Sequence, residues 1–400
     1  MANEFVVRNG LRVPSIPNGC YLSSVNGTIV GCTVSSPIIV PGTGNCSTLR
    51  TGINSTASGE YSVVLGRCSN ADGRQSVVLA YQSCIGGDNL IAGGCFSGIL
   101  SGGGNNISAG TLTNLAYCSA FSVIGGGFAN TIGNGQQHST ISGGYFNFMF
   151  GSSTQQLGSS TIGGGQANSI TACQATIAGG LGNQIDGSFT TPTANEACWS
   201  AIGGGLFNYI ERCYGTVAGG GCNSICANAG AIGGGFCNVI TSAGGAGAIN
   251  GGRNSTISGR YTSIGGGRNH TVSALYATVS GGAYQTASGQ SSAIGGGRSN
   301  TSSATYTVVA GGRLNTASAL YASVVGGRAN TASGDSSAIV GGRSNTTSGC
   351  ACAMIVGSNI IADRVCATFV NNLSIKDIPT SSAGLPVGSV WNDVGTLKIV

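Results

Sequence analysis

IGGGRSNTSSATYTV, VAGGRLNTASALYAS, VVGGRANTASGDSSA and IVGGRSNTTSGCACA fill residues 294–308, 309–323, 324–338 and 339–353 without a gap. The unit is 15 residues long, and its leading apolar residue recurs at Ile264, Val279, Ile294, Val309, Val324, Ile339 and Met354. Self-similarity at a short fixed period means stacked coils, each burying its apolar side only against its neighbours. The pattern predicts an all-β fold, a parallel β-roll or β-solenoid.

Working outward, the same kind of lead residue is found at Leu100, Ile124, Ile141, Ile162, Ile177, Ile202, Val217, Ile232 and Ile249, at spacings between 15 and 25 residues. The excess over 15 always falls after the second apolar position, as from Phe150 to Ser160 and from Asp186 to Cys198. Insertions therefore gather on one edge of the stack.

With the lead residue as position 0, a second apolar point falls at position 8. It is Ile132, Met149, Ile170, Ile185, Ile210, Ile225, Ile240, Ile257 and Val272, then Ala287, Ala317 and Ala332. Two inward points imply two short strands per coil. Positions 2 and 3 are Gly-Gly in all fourteen coils led by Ile124 through Ile339. Such a pair serves a bend between strands or a surface where chains pack tightly.

Position 6 carries Asn106, Asn130, Asn147, Asn168, Asn183, Asn208, Asn223, Asn238, Asn300, Asn315, Asn330 and Asn345. Asparagine repeated at one spatial position predicts a structural amide ladder that satisfies polar groups at the turn. Position 4 is Phe128, Tyr145, Gln166, Leu181, Leu206, Gly221 and Phe236, then Arg253, Arg268, Arg298, Arg313, Arg328 and Arg343. Like charges one strand apart repel, so these arginines must reach water, an anionic ligand or carbonyls of neighbouring chains. Position 7 in the same coils is a hydroxyl column, Thr271, Thr286, Thr301, Thr316, Thr331 and Thr346.

Composition agrees with a repeat fold. Seventy-three glycines, 7% charged and 6% aromatic residues do not describe an ordinary globular core, while 41% apolar content argues against plain disorder. A net charge of +5 from thinly spread basic residues gives no nucleic-acid footprint. No run of about 18 apolar residues could span a bilayer, and the start shows no charged n-region before an apolar stretch. The expectation is no nucleic acid, no membrane insertion and no signal peptide.

Sixteen cysteines are present. Cys173, Cys198, Cys213 and Cys350 lie four residues before a lead residue, and Cys222 and Cys237 lie five after one. Stacked equivalents stand close enough for a bridge, but the simpler reading is reduced thiols filling a ladder position. Clustered metal ligands are missing, so neither metal nor cofactor is expected.

Before the main repeat lies a 14-residue variant, Ala57-Ser-Gly-Glu-Tyr-Ser-Val-Val-Leu-Gly-Arg67 followed by Ala71-Asp-Gly-Arg-Gln-Ser-Val-Val-Leu-Ala80, with Val63 to Val77 as one step. These segments, with Thr316-Ala-Ser-Ala-Leu-Tyr-Ala-Ser-Val-Val-Gly-Gly-Arg328, resemble the head repeats of trimeric autotransporter adhesins. The resemblance covers roughly residues 50 to 365. It implies a homotrimer of left-handed parallel β-rolls that binds host surfaces, although that family's signal peptide and membrane barrel have no counterpart here.

The ends point elsewhere. Asn3-Glu-Phe-Val-Val-Arg-Asn-Gly-Leu-Arg-Val13 and Ala383-Gly-Leu-Pro-Val-Gly-Ser-Val-Trp-Asn-Asp-Val-Gly-Thr-Leu-Lys-Ile-Val400 resemble terminal segments of bacteriophage tail-fibre and related virion proteins. The second reads as two strands, Ser389 to Trp391 and Thr396 to Val400, joined by a turn. Open strand edges at the ends of a stack call for caps.

The resulting division is 1–48 for attachment or capping, 49–99 for 14-residue coils, 100–252 for coils with edge insertions, 253–365 for regular coils and 366–400 for a C-terminal cap. About twenty coils at one strand spacing each would make a fibre roughly 90 to 100 Å long. The expected function is a non-enzymatic virion fibre, assembled in the host cytoplasm, joined to other virion proteins through one terminus and supporting attachment to a host receptor or glycan. Alternatives are a bacterial trimeric surface adhesin and an ice-binding solenoid using the threonine column. An enzyme would need carboxylates such as Asp186, Glu196 and Glu211, since His138 and His270 lie many coils apart.

Candidate receptor contacts are Tyr145, Phe146, Phe148, Phe150, Phe189, Trp199 and Tyr209, aromatic anchors in or beside the insertions. The arginines of position 4 form a candidate anionic-ligand stripe.

Overall fold

The computed structural model describes residues 22–25, 28–31, 39–44, 47–50, 55–65, 69–79, 90–92, 96–107, 121–133, 135–151, 157–187, 197–374 and 376–400. The N-terminal segment 3–13, Phe189 and Glu196 lie outside the described residues. The chain is a parallel β-solenoid of about 18 turns with no helix among the described residues. It divides into two compact units, one ending at Gly219 and one beginning at Gly220.

Each coil is built as its apolar spacing requires. A two-residue strand carries the lead residue inward, and a second carries position 8 inward. In the first unit Thr161–Ile162 pairs in parallel with Thr176–Ile177, and Ser169–Ile170 with Gln184–Ile185. In the second unit Ala293–Ile294 pairs with Val308–Val309, and Thr316–Ala317 with Thr331–Ala332. Between the two strands, position 4 forms a third, single-residue ladder, such as Arg298 with Arg313 and Arg328. The core is therefore two stacked columns of fully buried side chains, Ile162, Ile177 and Ile202 in one and Ile170, Ile185 and Ile210 in the other. Burying each isoleucine contributes roughly 1.5–3 kcal/mol. The 14-residue variant follows the same rule: Val63–Val64 pairs with Val77–Val78, placing Val64 and Val78 inside.

Two sequence assignments are off by one residue. Ile99, not Leu100, leads the first long coil: Ile99 is fully buried and Leu100 is 50% exposed. The ladder residue there is accordingly Asn105, which accepts the amide of Asn130, whereas Asn106 lies in the strand Asn106–Ile107. Leu-Ser-Gly-Gly-Gly imitates a lead residue followed by its glycines, which hides the shift. At the other end Ile339 pairs with Ile355, so Ile355 is inward and Met354 outward. One additional residue in the turn around Cys350 to Ala353 causes the slip, and Cys350 leaves its assigned phase.

The other asparagines form the expected ladder. Asn168 donates from Nδ2 to Oδ1 of Asn147 at 3.1 Å, to the carbonyl of Gly164 at 2.9 Å and to that of Gly180 at 3.0 Å. Its Oδ1 in turn accepts the backbone and side-chain amides of Asn183. One side chain thus ties three coils and leaves no buried amide group unused. Where the asparagines stop, Ser255, His270 and Gln285 continue the column, each accepting the next coil's backbone N–H.

The two glycines of each pair do different work. Position 3 is left-handed, as at Gly297 (φ 88°), and a methyl there would collide with the carbonyl oxygen of Gly312. It is the bend, and only glycine fits.

The ends are hairpins. Leu22–Val25 pairs antiparallel with Thr28–Gly31, and Ile39–Pro41 with Thr48–Arg50, which continues in parallel onto Val63–Val64. At the C-terminus Val390–Asp393 pairs with Thr396–Ile399 across a two-residue turn, Val394 and Gly395, both left-handed. The first strand is shifted and longer than the sequence suggests because a primed turn needs only those two residues.

His270 yields a pH prediction. Its Nδ1 accepts the N–H of Gln285 at 3.2 Å. Its buried Nε2 faces the carbonyls of Gly266 and Gly282 without reaching hydrogen-bond geometry to either. Burial, the largest influence, holds the imidazole below its usual 6.5 despite those carbonyls. A proton on Nδ1 would set two donors against each other. Because the folded state binds that proton more weakly than the unfolded chain, the stabilisation is complete above about 6.5 and is lost as pH falls from there toward the folded value. The unfolding midpoint of the second unit should drop across this window, and His270→Asn should flatten the drop; an unchanged pH profile in the variant would contradict this role.

Candidate functional site

What the coils offer to the outside is set by the same register. Most coils hold a non-glycine residue in the left-handed region at position 5, and a second such residue stands three places ahead of the next lead residue. Phe146, Phe207 and Tyr284 occupy the first of these columns, and Phe121, Trp199, Tyr214, Tyr261, Tyr276, Tyr306 and Tyr321 the second. Such a conformation costs roughly 1–2 kcal/mol per residue. It persists because the turn N–H is bonded to the coil before it, as Tyr276 N–H donates to the carbonyl of Arg260 at 3.1 Å.

These turns line rings up face to face along the stack. In the first unit Phe96, Phe121 and His138 form a continuous pile at 4.8 and 4.9 Å, and Trp199 stacks on Tyr214 at 5.3 Å. In the second, Tyr261 stacks on Tyr276 at 5.6 Å and Tyr306 on Tyr321 at 5.1 Å. Sequence reasoning misses these piles, yet they become readable once residues are counted backward from each lead residue, since insertions always precede that point.

Of the expected receptor contacts, four come together with Phe128, a residue the sequence did not mark as a contact. Tyr145 lies 5.7 Å from Phe128 and 4.5 Å from Phe146, and the chain of rings continues through Phe148 to Phe150. Phe128, Tyr145, Phe146 and Phe150 are exposed. Met149 is not part of this surface; it fills position 8 in the core. Trp199 belongs to a second cluster with Tyr214, and Tyr209 turns its hydroxyl toward Asp186 at 3.5 Å. Among the described residues no ring contact joins the two clusters.

Asp186 and Glu211 stand at equivalent positions of successive coils, next to the paired Ile185 and Ile210. Asp186 accepts from Thr171 Oγ1 at 2.9 Å, and Glu211 lies 3.8 Å from Arg212, so neighbours engage both carboxylates. Among the described residues no group of three or more metal-ligating side chains is found.

One pair of thiols departs from the simpler reading. Cys173 and Cys198 are joined as a disulfide between coils, with Cα atoms 4.9 Å apart, rather than standing as reduced fillers. Stacking brings these equivalent cysteines, 25 positions apart in sequence, within bridging reach, as their shared phase allows. Cys213, Cys222, Cys237 and Cys350 are thiols rather than disulfides. Burial and then the adjacent Cys222 push the Cys237 thiol above its ordinary range.

The arginines form an unbroken outward ladder from Arg298 through Arg313 and Arg328 to Arg343, preceded by Arg253, Arg268 and Ala283. Arg253 rests 5.7 Å from the centre of the Phe236 ring and Arg268 5.4 Å from that of Tyr284. No described carboxylate lies within 4 Å of any of the six. The threonines are in register beside each other, Thr271 with Thr286 and Thr301 with Thr316.

Compared with known proteins, the sequence matches no family model and no curated protein.

The disulfide supplies a prediction for the inserted edge. Closing a loop of this length contributes about 2–4 kcal/mol. Cys173→Ser should lower the unfolding midpoint of the first unit by a corresponding amount, as should reduction of the unaltered chain. A midpoint insensitive to both would count against the bond.

Proposed function

We propose that the chain is a non-enzymatic structural fibre protein, that its copies pack side by side as a homotrimer on a virion, and that its outward columns meet the host surface. The observation that carries the packing is the glycine at position 2. At Gly251, Gly266, Gly281, Gly296, Gly311, Gly326 and Gly341 an added methyl would meet nothing within 4 Å, and none of these residues is left-handed. Neither backbone nor neighbours within the chain demand glycine there. Glycine loses more conformational freedom on folding than any other residue, so a column of them needs a cause outside the chain. Close approach of another backbone supplies one.

Two residues beside the last glycines of this column support the same reading. Val325 and Val340 immediately precede Gly326 and Gly341, and both are exposed, Val325 at 56%. Apolar side chains next to a bare glycine strip suit burial against a second copy. Threefold number follows from the likeness to trimeric adhesin heads, and virion placement from the likeness of the terminal segments to tail fibres. Exposed stacked rings suit host contact, because aromatic anchors commonly centre binding surfaces and three copies multiply weak contacts. The ice-binding alternative is favoured by the threonine column alone, and thermal hysteresis would reveal it.

Native mass tests the packing. The purified chain should weigh three times 39.2 kDa. Gly281→Val, Gly296→Val and Gly311→Val together should release single chains that keep their β circular dichroism. A wild-type mass of 39.2 kDa would overturn the assembly, and detection of the chain in purified particles tests its placement.

A further inference from the structure

We propose that the arginine column of the second unit binds a linear acidic polysaccharide, with one carboxylate opposite each guanidinium in turn. Arg298, Arg313, Arg328 and Arg343 pair in parallel from one coil to the next, and Arg253 and Arg268 continue the line beyond Ala283. Neighbouring backbones in such a ladder stand about 4.8 Å apart. Identical charges at that spacing repel, and the side chains are exposed rather than held apart in a core. Residues 220–400 contain ten Lys and Arg, four Asp and no Glu, a balance of +6, while the whole chain carries only +5. The charge is concentrated where the ladder is.

The occupant must bring its own negative charge, because a second copy of this chain has none to offer in matching order. Asp335 accepts the N–H of Leu320, Asp363 pairs with Arg364 and Asp393 with Lys398. The fourth acid, Asp377, stands outside the repeat, and none of the four recurs at the coil period. The first unit's described acids are likewise taken, Glu60 by Arg74 and Glu211 by Arg212 among them.

A polysaccharide fits better than a nucleic acid. Sequence-tolerant binding of single strands relies on ring faces on which bases stack. The rings beside this stripe, Phe236 and Tyr284, already have Arg253 and Arg268 over their faces. Four of the six residues following the arginines, Asn254, Asn269, Ser299 and Ser344, are instead donors and acceptors suited to sugar hydroxyls, while Leu314 and Ala329 follow the other two. Guanidinium forks match carboxylates with two parallel hydrogen bonds. A rigid ladder presents several at once, so weak single contacts add along one polymer. The proposal rests on the outward display argued above only in requiring that the column be uncovered.

The test uses the full chain with polygalacturonate as probe, a neutral glucan of equal length as control, and a single-stranded oligonucleotide as competitor. Polygalacturonate should bind, the neutral glucan should not, and raising salt from about 50 to about 200 mM should weaken binding by at least about tenfold. Arg298→Gln, Arg313→Gln, Arg328→Gln and Arg343→Gln together should weaken it at least tenfold with native mass and circular dichroism unchanged; the four Lys replacements should lose less. The salt series on the unaltered chain decides the matter even if the quadruple variant misfolds. Equal binding of the neutral glucan, salt-independent binding, tighter binding of the oligonucleotide, or a quadruple variant that falls apart into single chains would each overturn the proposal. A 39.2 kDa wild type that still binds polygalacturonate would uphold this proposal while sinking the trimer.

Discussion

Everything outward in this molecule depends on a buried amide ladder. A coil of fifteen residues has little core, and its two bends contain carbonyls that water cannot reach. The asparagine at position 6 solves both problems, since its Nδ2 takes carbonyls from its own and the following coil while its Oδ1 takes the next amide. An unsatisfied buried amide costs about 1–3 kcal/mol, so slipping one coil by one residue would orphan several groups at once. Register is thereby enforced at each junction independently, which is how a quasi-one-dimensional fold keeps order without a large core.

The ladder also explains how strain is tolerated. Bulky residues such as Trp199 and Tyr276 stand in the left-handed region, where tyrosine and tryptophan are rarely found. The bends on either side are fixed by the amide bonds and by the crowded glycine of position 3, so the turn residue has no alternative. The result is that rings, arginines and threonines stand in straight columns one strand apart. A surface of that regularity suits a repetitive partner better than a single small molecule.

Much of this is legible in the sequence because the period reports the ladder directly. Isoleucine at 0 and 8 and asparagine at 6 can be placed inside by counting. Counting fails where chemistry repeats out of phase: Leu100 and Asn106 imitate a lead residue and its ladder partner, and Met354 stands where one extra turn residue moves Ile355 inward. The shared phase of Cys173 and Cys198 leaves their oxidation open, and the aromatic piles show only when residues are counted backward from each lead residue. In the coils from Gly251 to Gly341 the two glycines of each pair are the same letter, yet one is crowded by the next coil and the other faces open space. Only the fold separates them, and the difference supports the proposed assembly. His270 and Gln285 share no letter with the asparagines, yet they are ladder members whose ring or amide takes the same place.

The most direct measurement is the unfolding midpoint of the chain from which residues 295–309 have been excised. That cut removes one whole coil and joins Ile294 to Ala310, so that Asn315 follows Gln285 in the column as Asn300 does in the full chain. If coil-to-coil registration is what holds the structure, the midpoint stays close to that of the full chain, while excision of 295–308, one residue fewer, lowers it sharply. Equal midpoints for the two excisions, or collapse of both, would contradict the ladder as the organising constraint.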